Sequence, residues 1–233
     1  MLEWKKYPQF EPISAPSNHA IELVQQILRS NPAPTVCEIG VGIGATSLEL
    51  CRVLAGNGQI FFFDYEDTLQ SLATDLEKHG FYNFKTFGCR RKRFQSYNWP
   101  LAKLLLKMRQ EGQKGIIDFA YLDGAHTFHH DAPAALMLKD LLKPEGVILF
   151  DDYDWSLADS PSLKPTVNPT FRKWFKFVID TIHTKRNYDN EQLMMPHVKL
   201  ICDLFFDRDP AFIKIDIGYG SHQHRRAYRK LNL

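Results

Sequence analysis

Two short acidic clusters hold the residues best suited to chemistry in this sequence. Leu122-Asp123-Gly124-Ala125-His126 closes one apolar run, and Phe150-Asp151-Asp152-Tyr153 closes another. If both runs are strands of one sheet, three carboxylates and a histidine meet at its carboxyl edge, where open α/β sheets bind ligands. Carboxylates that converge repel one another and raise each other's pKa unless something positive joins them. A hard divalent cation meets that need: oxygen-only ligands favour Mg²⁺ or Mn²⁺ over zinc, with waters and substrate oxygens completing the octahedron. Asp123, Asp151 and Asp152 are therefore the candidate metal ligands. His126 is placed to act as general base on a substrate hydroxyl whose pKa the metal lowers. The plainer alternative, acids capping turns and a solvated histidine, is disfavoured by finding all four at two strand ends.

A second constellation lies upstream. Glu38-Ile39-Gly40-Val41-Gly42-Ile43-Gly44 joins a short apolar run to a helix, and glycines there let the backbone turn tightly and approach a ligand. Asp64 ends the next apolar run, where a carboxylate can accept hydrogen bonds from ribose hydroxyls. NAD and S-adenosylmethionine (SAM) both offer that ribose. Glu38 separates them, because a dinucleotide loop keeps its helix N-terminus clear for pyrophosphate, whereas the methionine ammonium of SAM needs acidic or carbonyl partners.

The elements that must position these groups alternate. Ile21, Val24, Ile27 and Leu28 are spaced for a helix ahead of Pro32, and TVCEIG reads as a first strand followed by the helix ATSLELCRVLA. QIFFF is a second strand, TLQSLATDLEKHG a helix ending at Gly80, and YNFKTFG a third strand. WPLAKLLLKMRQEG is helical, GIIDFAYLD is a fourth strand, FHHDAPAALMLKDLLKPEG is a helix and VILFDDYDW a fifth strand. Such alternation predicts a doubly wound α/β fold, a mostly parallel sheet with helices on both faces. After a Ser/Pro-rich loop from Ser156 to Asn168, which reads as a lid, TFRKWFKFVIDTIHT reads as an amphipathic helix. HVKLICDLFF and AFIKIDIG are expected as two strands joined at DRDP, an antiparallel hairpin closing a seven-stranded sheet. Residues 1–16 read as an arm and 17–233 as one domain.

VCEIGVGIGATSLEL resembles the first motif of class I SAM-dependent methyltransferases, and the element order resembles theirs over roughly residues 20 to 217. The resemblance implies that Glu38, Gly40, Gly42 and Gly44 border the amino-acid end of SAM and that Asp64 holds its ribose. Where that family often has a polar side chain near adenine, this chain has Gly88-Cys89-Arg90, so backbone contacts from Gly88 and Cys89 are expected instead. LDGAH and FDDY resemble the metal-dependent O-methyltransferases of natural-product biosynthesis, above all the sugar enzymes related to macrocin O-methyltransferase. That likeness implies Mg²⁺ or Mn²⁺ on Asp123, Asp151 and Asp152, and base catalysis by His126. Asp123 is expected to serve the cofactor and catalysis as well as the metal. The rival expectations are a metal-independent N-methyltransferase, whose acids would bind an amine, and an NAD-dependent oxidoreductase.

Composition narrows the partners. With 29 Lys+Arg against 27 Asp+Glu, net charge is +2, too balanced to argue for nucleic acid or a membrane surface. No apolar run reaches the roughly 18 residues of a membrane helix, and Cys37, Cys51, Cys89 and Cys202 are too scattered for a zinc site or a disulfide framework, so a cytoplasmic protein with free thiols and a small-molecule acceptor is expected. The basic runs Arg90-Arg91-Lys92-Arg93 and His222-Gln223-His224-Arg225-Arg226 read as solvated faces. Trp174, Phe175 and Phe177 read as core, a pocket wall or the interface of a homo-oligomer.

Overall fold

Parallel strands need crossovers, and this chain supplies a helix for each crossover of its first four strands. The computed structural model describes residues 15–91, 95–160, 163, 178, 181–182, 184–218 and 224–232. Nearly all of the expected arm, most of the expected lid, and Trp174, Phe175 and Phe177 lie outside them. Strands β1 (Thr35–Ile39), β2 (Gln59–Tyr65), β3 (Phe84–Cys89), β4 (Ile117–Leu122) and β5 (Leu142–Phe150) run parallel. With β6 (Phe212–Ile215) and β7 (Arg226–Lys230) they form one seven-stranded sheet in the order β3-β2-β1-β4-β5-β7-β6. The mostly parallel doubly wound sheet with a C-terminal antiparallel hairpin is the expected fold class.

Helices α1 (Asn18–Leu28), α2 (Ala45–Leu54) and α3 (Glu66–Lys78) share one core with Val36, Ile60, Phe62, Phe119, Tyr121 and Leu149. Helices α4 (Asn98–Gln110), α5 (Phe128–Leu141) and α7 (His197–Phe205) share the other with Cys37, Phe61, Phe63, Ala120, Ile148 and Phe150. The period-2 alternation of strand side chains divides the two layers. A short α6 (Asn190–Met194) precedes α7, opened by a capping box between Asp189 and Gln192. At the other end, the Ser17 hydroxyl caps α1 by accepting from the Ala20 amide, while the Ser17 amide donates to the Thr46 hydroxyl at 3.0 Å, fastening α1 to α2.

One expectation is corrected. HVKLICDLFF is helix α7 rather than a strand, and its Val198, Ile201 and Cys202 are buried at helical spacing. The hairpin pairs β6 with β7 instead, a strand that begins at Arg226, the last residue of the basic run expected as a solvated face. Strand β7 inserts between β5 and β6, because Ala227 and Tyr228 are apolar enough to be buried while the flanking basic side chains stay half-exposed. Among the described residues no helix is long and apolar enough to cross a membrane.

Strand order reverses between β1 and β4, so the loops after these strands diverge and leave a crevice. Both sequence constellations stand there.

Candidate active site

The glycine loop leaves β1 at the crevice. Gly40 has φ +82°, its amide donates to the Phe63 carbonyl at 2.8 Å, and a Cβ on it would overlap the backbone carbonyl of Asp123. Glycine is thus required for β1 and β4 to approach each other, before any ligand is considered. Gly42 differs: its φ is +50° yet a Cβ would meet nothing within 4 Å, so this backbone faces open space. Gly44, also left-handed, opens α2. The Asp64 carboxylate shapes the loop by accepting from the Val41 amide at 2.9 Å, and burial raises its pKa against that bond and the one from the Tyr65 amide.

Glu38 is 1% exposed and accepts from the Ser47 hydroxyl at 2.7 Å. Burial pushes its carboxyl up to about 8 against that hydrogen bond, with Asp123 and Asp64 adding to the rise. A buried acid with acids for neighbours is suited to an incoming cation, and the ammonium of SAM is one. Gly88 pairs with Asp64 across β2 and β3, and its missing side chain is filled by Glu66, whose Cγ would lie 2.6 Å from a Cβ. Cys89 is buried, its thiol raised to about 11 chiefly by that burial, which leaves backbone groups as its means of contact.

Asp123 and Asp151 leave neighbouring strands in step: the Asp123 amide donates to Ile39 O at 2.9 Å and the Asp151 amide to Leu122 O at 3.0 Å. His126 Nε2 lies 3.4 Å from Asp123 Oδ1 and 3.6 Å from Asp152 Oδ2, with the Trp155 ring edge-on at 5.5 Å. Burial alone would lower the imidazolium pKa, but the hydrogen bond and charge of Asp123, joined by Asp152, raise it to about 10. In the free protein His126 is therefore a cation at neutral pH. Burial and Asp151 raise Asp123, opposed by His126. The sequence constellation of Asp123, His126 and Asp152 does come together.

Two residues that sequence reasoning missed hold this corner. The Tyr97 hydroxyl donates to buried Asp131 and accepts from the Ala125 amide at 3.1 Å, clamping the turn before His126. His126 and Asp152 have φ of +52° and +48°, left-handed backbone that side chains with a Cβ rarely adopt. No spacing rule flags Tyr97 or Asp131, because they lie on opposite sides of β4 in sequence.

Comparison with known proteins fits this geometry. A family model described as a methyltransferase domain matches residues 37–153, half of the chain, from the Glu38 glycine loop to the Asp151-Asp152 pair. The chain belongs to this methyltransferase family. Solved structures share the fold of the methyltransferase at low identity. An S-adenosylhomocysteine (SAH)-bound methyltransferase of Podospora anserina has a TM-score of 0.56 at 15% identity, covering 99% of this chain and 86% of that one. An O-methyltransferase of Bacillus cereus in complex with SAH has 0.52 at 15%, covering 93% and 82%. The O-methyltransferase TomG of Streptomyces achromogenes, involved in tomaymycin synthesis and in complex with SAM, has 0.50 at 14%, covering 93% and 81%. No curated protein matches.

The methyltransferase's donor set does not fit the expected metal. Asp151 accepts from the Tyr121 hydroxyl on Oδ2 at 2.6 Å and is ion-paired through Oδ1 with Arg225 Nε at 2.7 Å, so both oxygens are engaged. Among the described residues, no group of three or more His, Cys, Asp or Glu side chains is arranged to hold an ion. The positive partners that three converging carboxylates require are His126 and Arg225. Arg225 comes from the tail that had read as solvated.

Proposed function

We propose that this methyltransferase uses SAM to methylate a hydroxyl of a small acceptor, a sugar or another natural-product metabolite. The observation that carries the reading is the His126 imidazole, held between Asp123 and Asp152 at the crevice that the glycine loop borders. SAM, when bound, supplies an electrophilic methyl on a sulfonium. Glu38 and Asp123 receive its ammonium, Asp64 its ribose, and the backbone of Gly88 and Cys89 its adenine. Gly42 gives the cofactor room. Positive charge arriving beside Asp123 disfavours the His126 proton, which leaves for solvent and frees the imidazole as general base. His126 then takes the acceptor's hydroxyl proton as the oxygen bonds to the methyl carbon and the C–S electron pair stays on sulfur. Left-handed His126 and Asp152 are fixed before substrate arrives, so alignment costs little at the reacting moment.

The acidic rim also gives the N-directed reading some support, since an amine acceptor would find carboxylate partners there. A screen with methyl-labelled SAM over matched alcohol and amine acceptors separates the two, the expected outcome being label on oxygen. His126→Ala should then lower kcat by about 10²–10⁴-fold and leave SAH affinity unchanged. An unchanged kcat would remove the general base, and failure of the wild type to bind SAH in calorimetry would remove the cofactor assignment.

A further inference from the structure

Arg225 is held more firmly than a surface arginine. The next residue, Arg226, pairs with Phe150 in the antiparallel β5–β7 ladder, and on its other side the His224 carbonyl accepts from the Tyr153 amide at 2.6 Å. Backbone pairing to both flanks of the Asp151-Asp152 pair thus sets where the guanidinium stands. Its side chain is 16% exposed and that of Asp151 13%. Nη2 lies 3.5 Å from the second oxygen of Asp151, so the guanidinium spans the carboxylate that Tyr121 holds from below. Arg225 also lies outside the segment matched by the family model, which ends at Tyr153. The acids lie within the matched segment, and the cation that occupies one of them comes from elsewhere in the chain.

We propose that Arg225 is a built-in counter-cation that closes Asp151 to divalent ions, so that the acceptor rim is organised by Arg225 and His126 and methyl transfer proceeds without Mg²⁺ or Mn²⁺. Arg225 is a positioning residue in this account: it acts through Asp151. An ion bridging Asp123, Asp151 and Asp152 would have to displace the guanidinium and leave it buried beside the sheet with no carboxylate. A neutral side chain at 225 removes that obstacle and leaves three carboxylates at one edge, with His126 beside Asp123 and Asp152 and the Tyr121 hydroxyl on Asp151, a donor set rich in hard oxygen.

The account of methyl transfer rests on the proposed function, but the ion-binding test does not, because it is read on the cofactor-free protein. Mn²⁺ is titrated into wild type, Arg225→Gln, Arg225→Lys and the double variant Arg225→Gln/Asp151→Asn, with free Mn²⁺ followed by electron paramagnetic resonance and folding followed by circular dichroism. Wild type and Arg225→Lys should bind Mn²⁺ weakly and alike. Arg225→Gln should gain about tenfold or more in Mn²⁺ affinity, the scale on which groups around a metal ligand act, and the double variant should lose that gain. Tight Mn²⁺ binding by the wild type that Asp151→Asn abolishes would overturn the proposal, as would a folded Arg225→Gln with no gain. If Arg225→Gln does not fold, wild type against Asp151→Asn decides: equal, weak Mn²⁺ binding by the two upholds closure of Asp151, and weaker binding by the variant refutes it. Once an acceptor is known, wild-type turnover should be the same in EDTA and in excess Mg²⁺. A loss in EDTA with weak Mn²⁺ binding retained would overturn metal-free transfer while leaving SAM chemistry intact.

Discussion

Around Gly40 the molecule shapes its crevice with backbone, using glycines at alternate positions, the close approach of β1 to the end of β4 and one carboxylate that caps the loop. Around Asp151 it uses charge, with carboxylates from two strands neutralised by a histidine from the β4 loop and an arginine beside β7. The first region is built on one short glycine loop, and at Gly40 it tolerates little steric change. The second depends on partners far apart in sequence and should respond mainly to changes of charge. Each region can be perturbed in the other's terms.

The largest effect is expected at Gly40. Gly40→Ala combines a left-handed φ with overlap onto the Asp123 carbonyl, and it should cost roughly 2–5 kcal/mol of stability. Gly42→Ala, left-handed but facing open space, should cost only the backbone part, about 1–2 kcal/mol. Chemical denaturation measures both, and equal losses would show that the approach of β1 to β4 is not what demands glycine.

Next comes Asp64→Ala, which should weaken SAH binding by about 1.5–3 kcal/mol, the scale of hydrogen bonds to a charged acceptor. Because Asp64 also accepts from the Val41 amide, the variant should loosen the loop, seen as faster amide exchange at Val41. Unchanged affinity would mean that Asp64 serves the loop alone.

The smallest effect is a proton. Glu38 has its pKa raised to about 8 in the free fold, so at neutral pH it is mostly the neutral acid. A cofactor ammonium favours its ionised form, so binding at pH 7 should release close to one proton from Glu38, and affinity should rise with pH until about 8. The sign for stability is the opposite: a raised carboxyl stabilises the free fold below its ordinary value and loses that contribution as pH climbs through about 8. Calorimetry in buffers of different ionisation enthalpy counts the protons, and Glu38→Gln should lower the count by about one, leaving the proton that His126 gives up. Equal proton release by the variant would assign the proton to another group.

How much of this could be read beforehand follows the same divide. The first five strands, their helices, the glycine loop and Asp64 were legible because each rests on period, glycine or a strand end within a short window. The closing hairpin was legible as an element and misplaced in sequence. The apolar residues of His197–Phe205 are crowded enough to imitate a strand, and the basic side chains of Arg226–Lys230 hide the buried Ala227 and Tyr228. That misplacement concealed Arg225 as well, since only the β5–β7 register brings it to Asp151. The need for positive partners among the acids was legible; that the chain supplies them itself was not. Tyr97 and Asp131 stayed hidden for a related reason, because a buried pair between the residue that opens α4 and the first turn of α5, far apart in sequence, leaves no periodic trace.

His126 and Asp152 both sit in left-handed backbone without being glycine. Glycine or asparagine at either position would relieve strain on the order of 1 kcal/mol and stabilise the free protein. A population selected for thermal tolerance alone would therefore drift away from the two side chains that the proposed function sets at the acceptor. Retention of both would mark continued selection for turnover, and this corner is where durability and activity pull the sequence in opposite directions.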